Sequence, residues 1–157
     1  MRKRIVATAR QVAAPSPDKW LDLEAVAEVE VTSEETDHPV EFALLPGQAS
    51  GWRAAEPGEQ SIRLLFAHPQ PLRRIWLHFE EARAERVQEY VLRWSGDGGK
   101  TYRDIVRQQW NFSPRGSIAE TEDHRVELPA VTALELSIIP DKSGGGAKAC
   151  LEAMRLA

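Results

Sequence analysis

The chain predicts an all-β fold, an antiparallel β-sandwich of the jelly-roll type, on three observations. Apolar residues recur at every second position through most segments, the repeat of strands with one buried face. About eight such runs are separated by turn-forming residues. The clearest run, Tyr90 to Tyr102, reads as strand, tight turn, strand. In it Tyr90, Leu92 and Trp94 alternate with Val91 and Arg93, Asp97-Gly98 supplies positive-φ turn chemistry, and Thr101-Tyr102 restarts a β-prone stretch.

Taken in order, residues 1–18 read as a tail, because basic residues give way to Ala-Ala-Pro-Ser-Pro, which is linker chemistry. The domain is expected over 19–157. Asp18 to Leu23 suits a helical turn with Trp20 and Leu21 facing inward. Ala27, Val29 and Val31 alternate with Glu28 and Glu30 as a strand. Thr32 to His38 is a polar loop, Val40 to Leu45 a short apolar stretch, and Pro46 to Gly51 a second loop leading to Trp52. Ile62, Leu64 and Phe66 form a strand that His68-Pro69-Gln70-Pro71 should break. Ile75, Leu77 and Phe79 form the next, with Arg74, Trp76 and His78 on its wet face. Gln108 to Gly116 and Ser117 to Asp123 read as loops. Val126 and Leu128, then Leu134, Leu136 and Ile138, are strands. Gly144 to Gly146 is a flexible loop, and Ala149 to Leu156 closes the chain as a last strand pinned into the sheet.

The chain has 157 residues, enough for one domain with a sizeable core. Its hydrophobic content of 42% and charged content of 28% are ordinary for a globular protein. A net charge of −4 provides no global field for nucleic acid or anionic lipid, so neither is an expected partner. Cys150 stands alone, which excludes an intrachain disulfide, and its apolar terminal strand predicts a reduced, mostly buried thiol. Met1-Arg2-Lys3-Arg4 has the charge of a secretory leader, but Arg10 and Gln11 interrupt the apolar run behind it. No window reaches membrane-span length. The expected location is the cytoplasm.

The hairpin turn carries a family resemblance. Ser95, Asp97, Gly98 and Tyr102 resemble the Ser-x-Asp-Gly…Trp/Tyr turn of discoidin and coagulation-factor C-type domains, which are galactose-binding-like β-sandwiches. Ser50-Gly51-Trp52 falls where that family has Thr-x-Trp, Gln60 to Phe66 is similar to its Gln-x-Ile-x-Leu-x-Leu strand, and Leu134 to Pro140 to the strand ending in Arg-Ile-x-Pro. The resemblance covers roughly residues 40–157. It implies a binding domain whose ligand sits in loops at one end of the sandwich. Members that bind calcium commonly use an Asp-Gly loop before the Thr-x-Trp, where this chain has Leu45-Pro46-Gly47, so no metal or cofactor is expected.

Signs of catalysis are lacking. Gly96 to Thr101 mimics a phosphate loop, but the place of its first glycine holds Trp94 and a β-prone run follows. There is no Gly-x-Ser-x-Gly elbow. His38, His68, His78 and His124 are far apart in sequence, and the acidic runs Glu34-Glu35…Asp37 and Glu120…Glu122-Asp123 read as solvated loops. The chain is therefore expected not to be an enzyme and to have no catalytic residues.

The densest mixture of planar polar, aromatic and guanidinium groups is Arg107 to Arg115. A pyranose offers C–H faces to rings and hydroxyls to amides and cations. The predicted ligand-binding set is accordingly Arg107, Trp110, Asn111, Phe112 and Arg115, helped by Trp52, His38 or Glu41 from earlier loops. Trp110 would stack on a sugar and Arg107, Asn111 and Arg115 would bond its hydroxyls. In the competing account Trp110 and Phe112 plug the end of the core. Two functions follow: a non-catalytic carbohydrate- or small-ligand-binding module, or a protein-interaction or self-assembly domain using the face of Arg74, Trp76 and His78 toward a partner or a second copy.

Overall fold

The computed structural model describes residues 3, 20–48 and 50–157. The expected tail, apart from residue 3, and the Asp18 start of the first helical turn lie outside the described residues. The elements are α1 (Leu23–Val26), β1 (Ala27–Val31), α2 (Glu41–Leu44), β2 (Trp52–Pro57), β3 (Gln60–Glu80), β4 (Arg86–Ser95), β5 (Arg103–Phe112), β6 (Ala119–Ile139), β7 (Lys148–Leu151) and β8 (Ala153–Leu156). All strand pairings among them are antiparallel. No helix among the described residues is long and apolar enough to cross a membrane.

The strand order β1-β3-β6-β4-β5 forms the main sheet, with β8 added beside β3 and a separate β2-β7 pair. Two long strands, β3 and β6, make two layers out of this order. They pair along their length, but the register shifts between Leu65 and Arg74. His68-Pro69-Gln70-Pro71 lies in that interval, and a proline cannot donate to a strand pairing. The sequence predicts a break there; the strand instead bends and continues. One half of this β3–β6 ladder, Gln60–Leu65 against Ala133–Ile138, lies between β1 and β4, while Ile75–His78 of the other half pairs with β8. The two halves face each other across the core, where the Phe79 and Tyr90 rings stack with centroids 5.3 Å apart.

Eleven of the twelve residues expected inward are buried, from Ile62 and Leu64 to Leu136 and Ile138. Trp94 is only half-buried, with the Arg103 guanidinium 6.0 Å from its ring centroid. Trp76 and His78, expected on a wet face, are 7% and 8% exposed. Their rings stack on one another at 5.9 Å. Arg74 beside them donates to Asp123 at 2.8 and 2.6 Å and lies over Trp20 at 5.0 Å. The face offered in the protein-interaction reading is thus engaged within the chain.

Val40 to Leu45 contains one helical turn, α2, whose final carbonyls accept from Arg155: Nη1 to Ala43 at 2.8 Å and Nη2 to Leu45 at 3.4 Å. At the closing end, β7 pairs with β2 and β8 with β3, so the expected last strand is two. Ala157 exchanges backbone hydrogen bonds with Arg74 at 3.0 and 2.8 Å, which pins the C-terminus. Gly51 admits the approach of this segment: a Cβ there would stand 2.2 Å from the Leu151 carbonyl oxygen.

Candidate functional site

The Arg107–Arg115 stretch is not an end loop. Most of it is β5, the edge strand, which runs to Phe112. Register puts Phe112 opposite Arg86, Trp110 opposite Gln88 and Gln108 opposite Tyr90, all on the inward face. Alternation sends Arg107, Gln109 and Asn111 to the outer face. The predicted ligand set is therefore divided between two sides of a sheet.

On the outer face Arg107 pairs with Glu89, and Lys142 pairs with the same carboxylate. Those two hydrogen-bonded cations, Lys142 first, hold the Glu89 carboxyl below its usual range. Asn111 is exposed on that side, away from Trp110. Phe112 is fully buried with the Arg86 guanidinium 4.7 Å over its ring, so it has no face left for a ligand. Arg86 is itself 2% exposed and donates to Glu81 (2.8 Å), the Pro140 carbonyl (2.7 Å), Gln88 (3.1 Å) and Cys150 Sγ (3.4 Å). It fastens four segments at this end. Cys150 is free and half-buried, and burial pushes its thiol pKa up.

After Phe112 a tight turn closes with hydrogen bonds from Ser113 N to Ser117 O (2.9 Å) and from Ser117 N to Ser113 O (3.0 Å). It carries Pro114 and Arg115 out beyond the sheet. Arg115 is exposed and makes no ion pair or hydrogen bond among the described residues. The turn forms one side of an open trough of about 750 Å³ with Trp110, Arg115, Ile118, His78, Glu80 and Thr121 in its lining. Trp110 is half-buried, and its Nε1 is wholly buried, so the ring surface left to the trough is carbon. Ile118 is 46% exposed. His78 sits low in the trough, with Nδ1 2.8 Å from Thr121 Oγ1 and Nε2 2.9 Å from Glu80 Oε1. An exposed cation, an anchored imidazole and carboxylate, a hydroxyl and apolar ring surface thus share one concavity, a set suited to a polyhydroxylated ligand.

Of the predicted residues, Trp110 and Arg115 meet here. His38 is not in the lining of the trough. Its Nδ1 lies 3.2 Å from the Gly51 carbonyl. Trp52 is not available, being 1% exposed with its indole N–H donated to the Ser33 carbonyl at 3.0 Å. Glu41 borders a different groove, of about 270 Å³, with Leu23, Val29, Leu44 and Leu64. Sequence reasoning missed His78, Glu80, Thr121 and Ile118. His78 and Glu80 are two apart on one strand face, but only the pairing of His78 with Thr121 gathers them with the turn. Among the described residues no group of three or more His, Cys, Asp or Glu side chains is placed to hold a metal ion.

No family model matches the sequence, and no curated protein sequence matches it. Solved structures do resemble it. The family 32 carbohydrate-binding module of Clostridium perfringens NanJ, in complex with galactose, shares 14% identity over 83% of this chain and 92% of that one, with a TM-score of 0.60. A second Clostridium perfringens module, in complex with GalNAc-β-1,3-galactose, shares 20% identity over 83% and 94%, with a TM-score of 0.61. A third, from a family 31 glycoside hydrolase of that organism, shares 16% over 88% and 94%, with a TM-score of 0.65. The fold is therefore the discoidin, or galactose-binding-like, β-sandwich. The turn and strand motifs of the sequence point to the same fold.

Proposed function

We propose that this domain is a non-catalytic carbohydrate-binding module that holds a saccharide in the trough between the 113–117 turn and the paired ends of β3 and β6. The observation that carries this reading is the convergence of Trp110 carbon surface with the unpaired Arg115 guanidinium over the His78–Glu80–Thr121 group. A pyranose lying in the trough would put C–H groups on Trp110 and Ile118 and hydroxyls toward Arg115, Thr121 and Glu80. The likeness in fold to modules solved with bound sugars supports the reading.

The trough is open and presents one exposed cation, so affinity for a monosaccharide is weak, on the order of millimolar. Hydrogen bonds to a charged group contribute about 1.5–3 kcal/mol. Arg115→Ala is accordingly expected to lower affinity about tenfold or more while the melting temperature stays unchanged, since the side chain has no ion pair or hydrogen bond among the described residues. A glycan array followed by titration of its best neutral and acidic hits into wild type and Arg115→Ala tests this. A blank array, or equal affinity in both proteins, would sink the proposal.

A further inference from the structure

Three buried side-chain polar atoms among the described residues lack a partner, and two of them neighbour the same residue. Trp110, with its unmet Nε1, stands opposite Gln88 in the β4–β5 pairing. Glu120, with its unmet Oε2, accepts from Gln88 Nε2 through its other oxygen at 3.3 Å. Glu120 is 1% exposed, at the start of β6. Glu122, on the same face of the strand, lies close enough to hydrogen-bond a Glu120 carboxyl that carries a proton.

The surroundings decide which form the fold prefers. From β4, Arg86, Gln88 and Tyr90 face this seam, and the Tyr90 hydroxyl is 2.7 Å from His124 Nε2. From β5 come Trp110 and Gln108, whose Nε2 reaches Glu122 at 3.5 Å. Phe79 of β3 is the cross-strand neighbour of Glu120. The one cation here, Arg86, is already held by Glu81, Pro140 and Gln88. An ionised Glu120 would be a buried carboxylate with one amide donor and a second carboxylate beside it. A neutral Glu120 can donate its O–H to Glu122, which gives Oε2 its missing partner. Burial, then the charge of Glu122, then the hydrogen bond to Glu122 push the Glu120 pKa up to about 7, against smaller pulls from Gln88 and Arg86.

We propose that Glu120 and Glu122 form a proton-held latch in the seam between the two layers, in which one shared proton lets both carboxyls of β6 stay seated against Gln88 of β4 and Gln108 of β5, and its loss loosens that wall of the sandwich. Ile118, Ala119 and Thr121 of this segment line the trough, so the latch would also govern the shape of the trough. The latch stands whether or not the trough binds sugar, and its test needs no ligand.

A carboxyl whose folded-state pKa lies above the unfolded one holds its proton more tightly in the fold. Its contribution is complete below the ordinary value of 4.5 and is lost as pH rises to about 7. Wild type should therefore lose several degrees of melting temperature between about pH 5 and about pH 8. Glu120→Gln, which mimics the neutral acid, should lose far less and match or exceed wild type at the upper pH. Amides of residues 118–122 should exchange about tenfold faster in wild type than in Glu120→Gln at about pH 8, and at equal rates at about pH 5. If Glu120→Gln does not fold, a carbon-13 NMR titration of Glu120 in wild type decides: a midpoint near 7 supports the latch and one near 4.5 overturns it. A wild-type stability that is level across this range, or falls in parallel in Glu120→Gln, also overturns it.

Discussion

The Ser95–Thr101 turn and the Glu120 seam each build a polar network around one carboxyl, with opposite charge logic. In the turn Asp97 is exposed and fully served. It accepts from Ser95 Oγ (2.6 Å), from the Lys100 and Thr101 amides (3.1 and 2.9 Å) and from the Thr101 hydroxyl. Ser95 Oγ in turn accepts from the Asp97 and Gly99 amides, while Gly98 and Gly99 take φ of 76° and 88°. Donors first from Ser95, then from Thr101, hold the Asp97 carboxyl well below its ordinary value. In the seam Glu120 is buried, served by one amide and crowded by a like charge. The first network favours the ion, the second the neutral acid. A local loop that supplies its own donors can be built from the seven consecutive residues Ser95 to Thr101; a seam between layers depends on what distant strands bring.

That contrast can be broken most severely at Arg86, the buried cation beside the seam. Arg86→Ala strands the Glu81 carboxylate and empties the space over Phe112, and should cost about 3–5 kcal/mol in urea denaturation; a loss below about 1 kcal/mol would mean that the cation fastens nothing. A smaller effect is expected at the turn. The Asp97 contribution is present above the ordinary 3.8 and is lost as pH falls toward its depressed folded value. Asp97→Ala should therefore flatten the acid limb of the stability curve and leave the limb near pH 7 untouched, whereas Glu120→Gln should do the reverse. Identical changes in both variants would dissolve the comparison. The least effect belongs to Arg107→Ala. Its guanidinium is half-exposed and Glu89 keeps Lys142, so the expected cost is about 0–1 kcal/mol with no change in any sugar affinity. An affinity loss there would return Arg107 to the site.

The same contrast explains what the amino-acid sequence made legible. The turn could be read because its chemistry is contiguous, and the apolar alternation of β3, β4 and the second half of β6 named their inward sides. The start of β6 could not be read that way. Its inward residues are Glu120, Glu122 and His124, so a strand looked like an acidic loop. Arg107 to Phe112 suffered the same fate, because an edge strand with Gln108 and Trp110 facing a polar seam has no apolar period. Alternation alone assigns Trp76 and His78 to water; both are buried, and their rings stack on one another. At the site, Trp110 and Arg115 stood out by composition, while His78, Glu80 and Thr121 join them only through strand pairing.

Chemical-shift mapping locates the ligand site without reference to any variant. Nitrogen-15-labelled protein would be titrated with galactose, with galacturonate and with the best hit of the glycan array. The account predicts saturable shifts concentrated at residues 114–121, at His78 and at Glu80, with few at Arg107, Asn111 or Trp52. Shifts centred on the outer face around Arg107 and Asn111, on the Glu41 groove, or nowhere with any of these sugars, would contradict it.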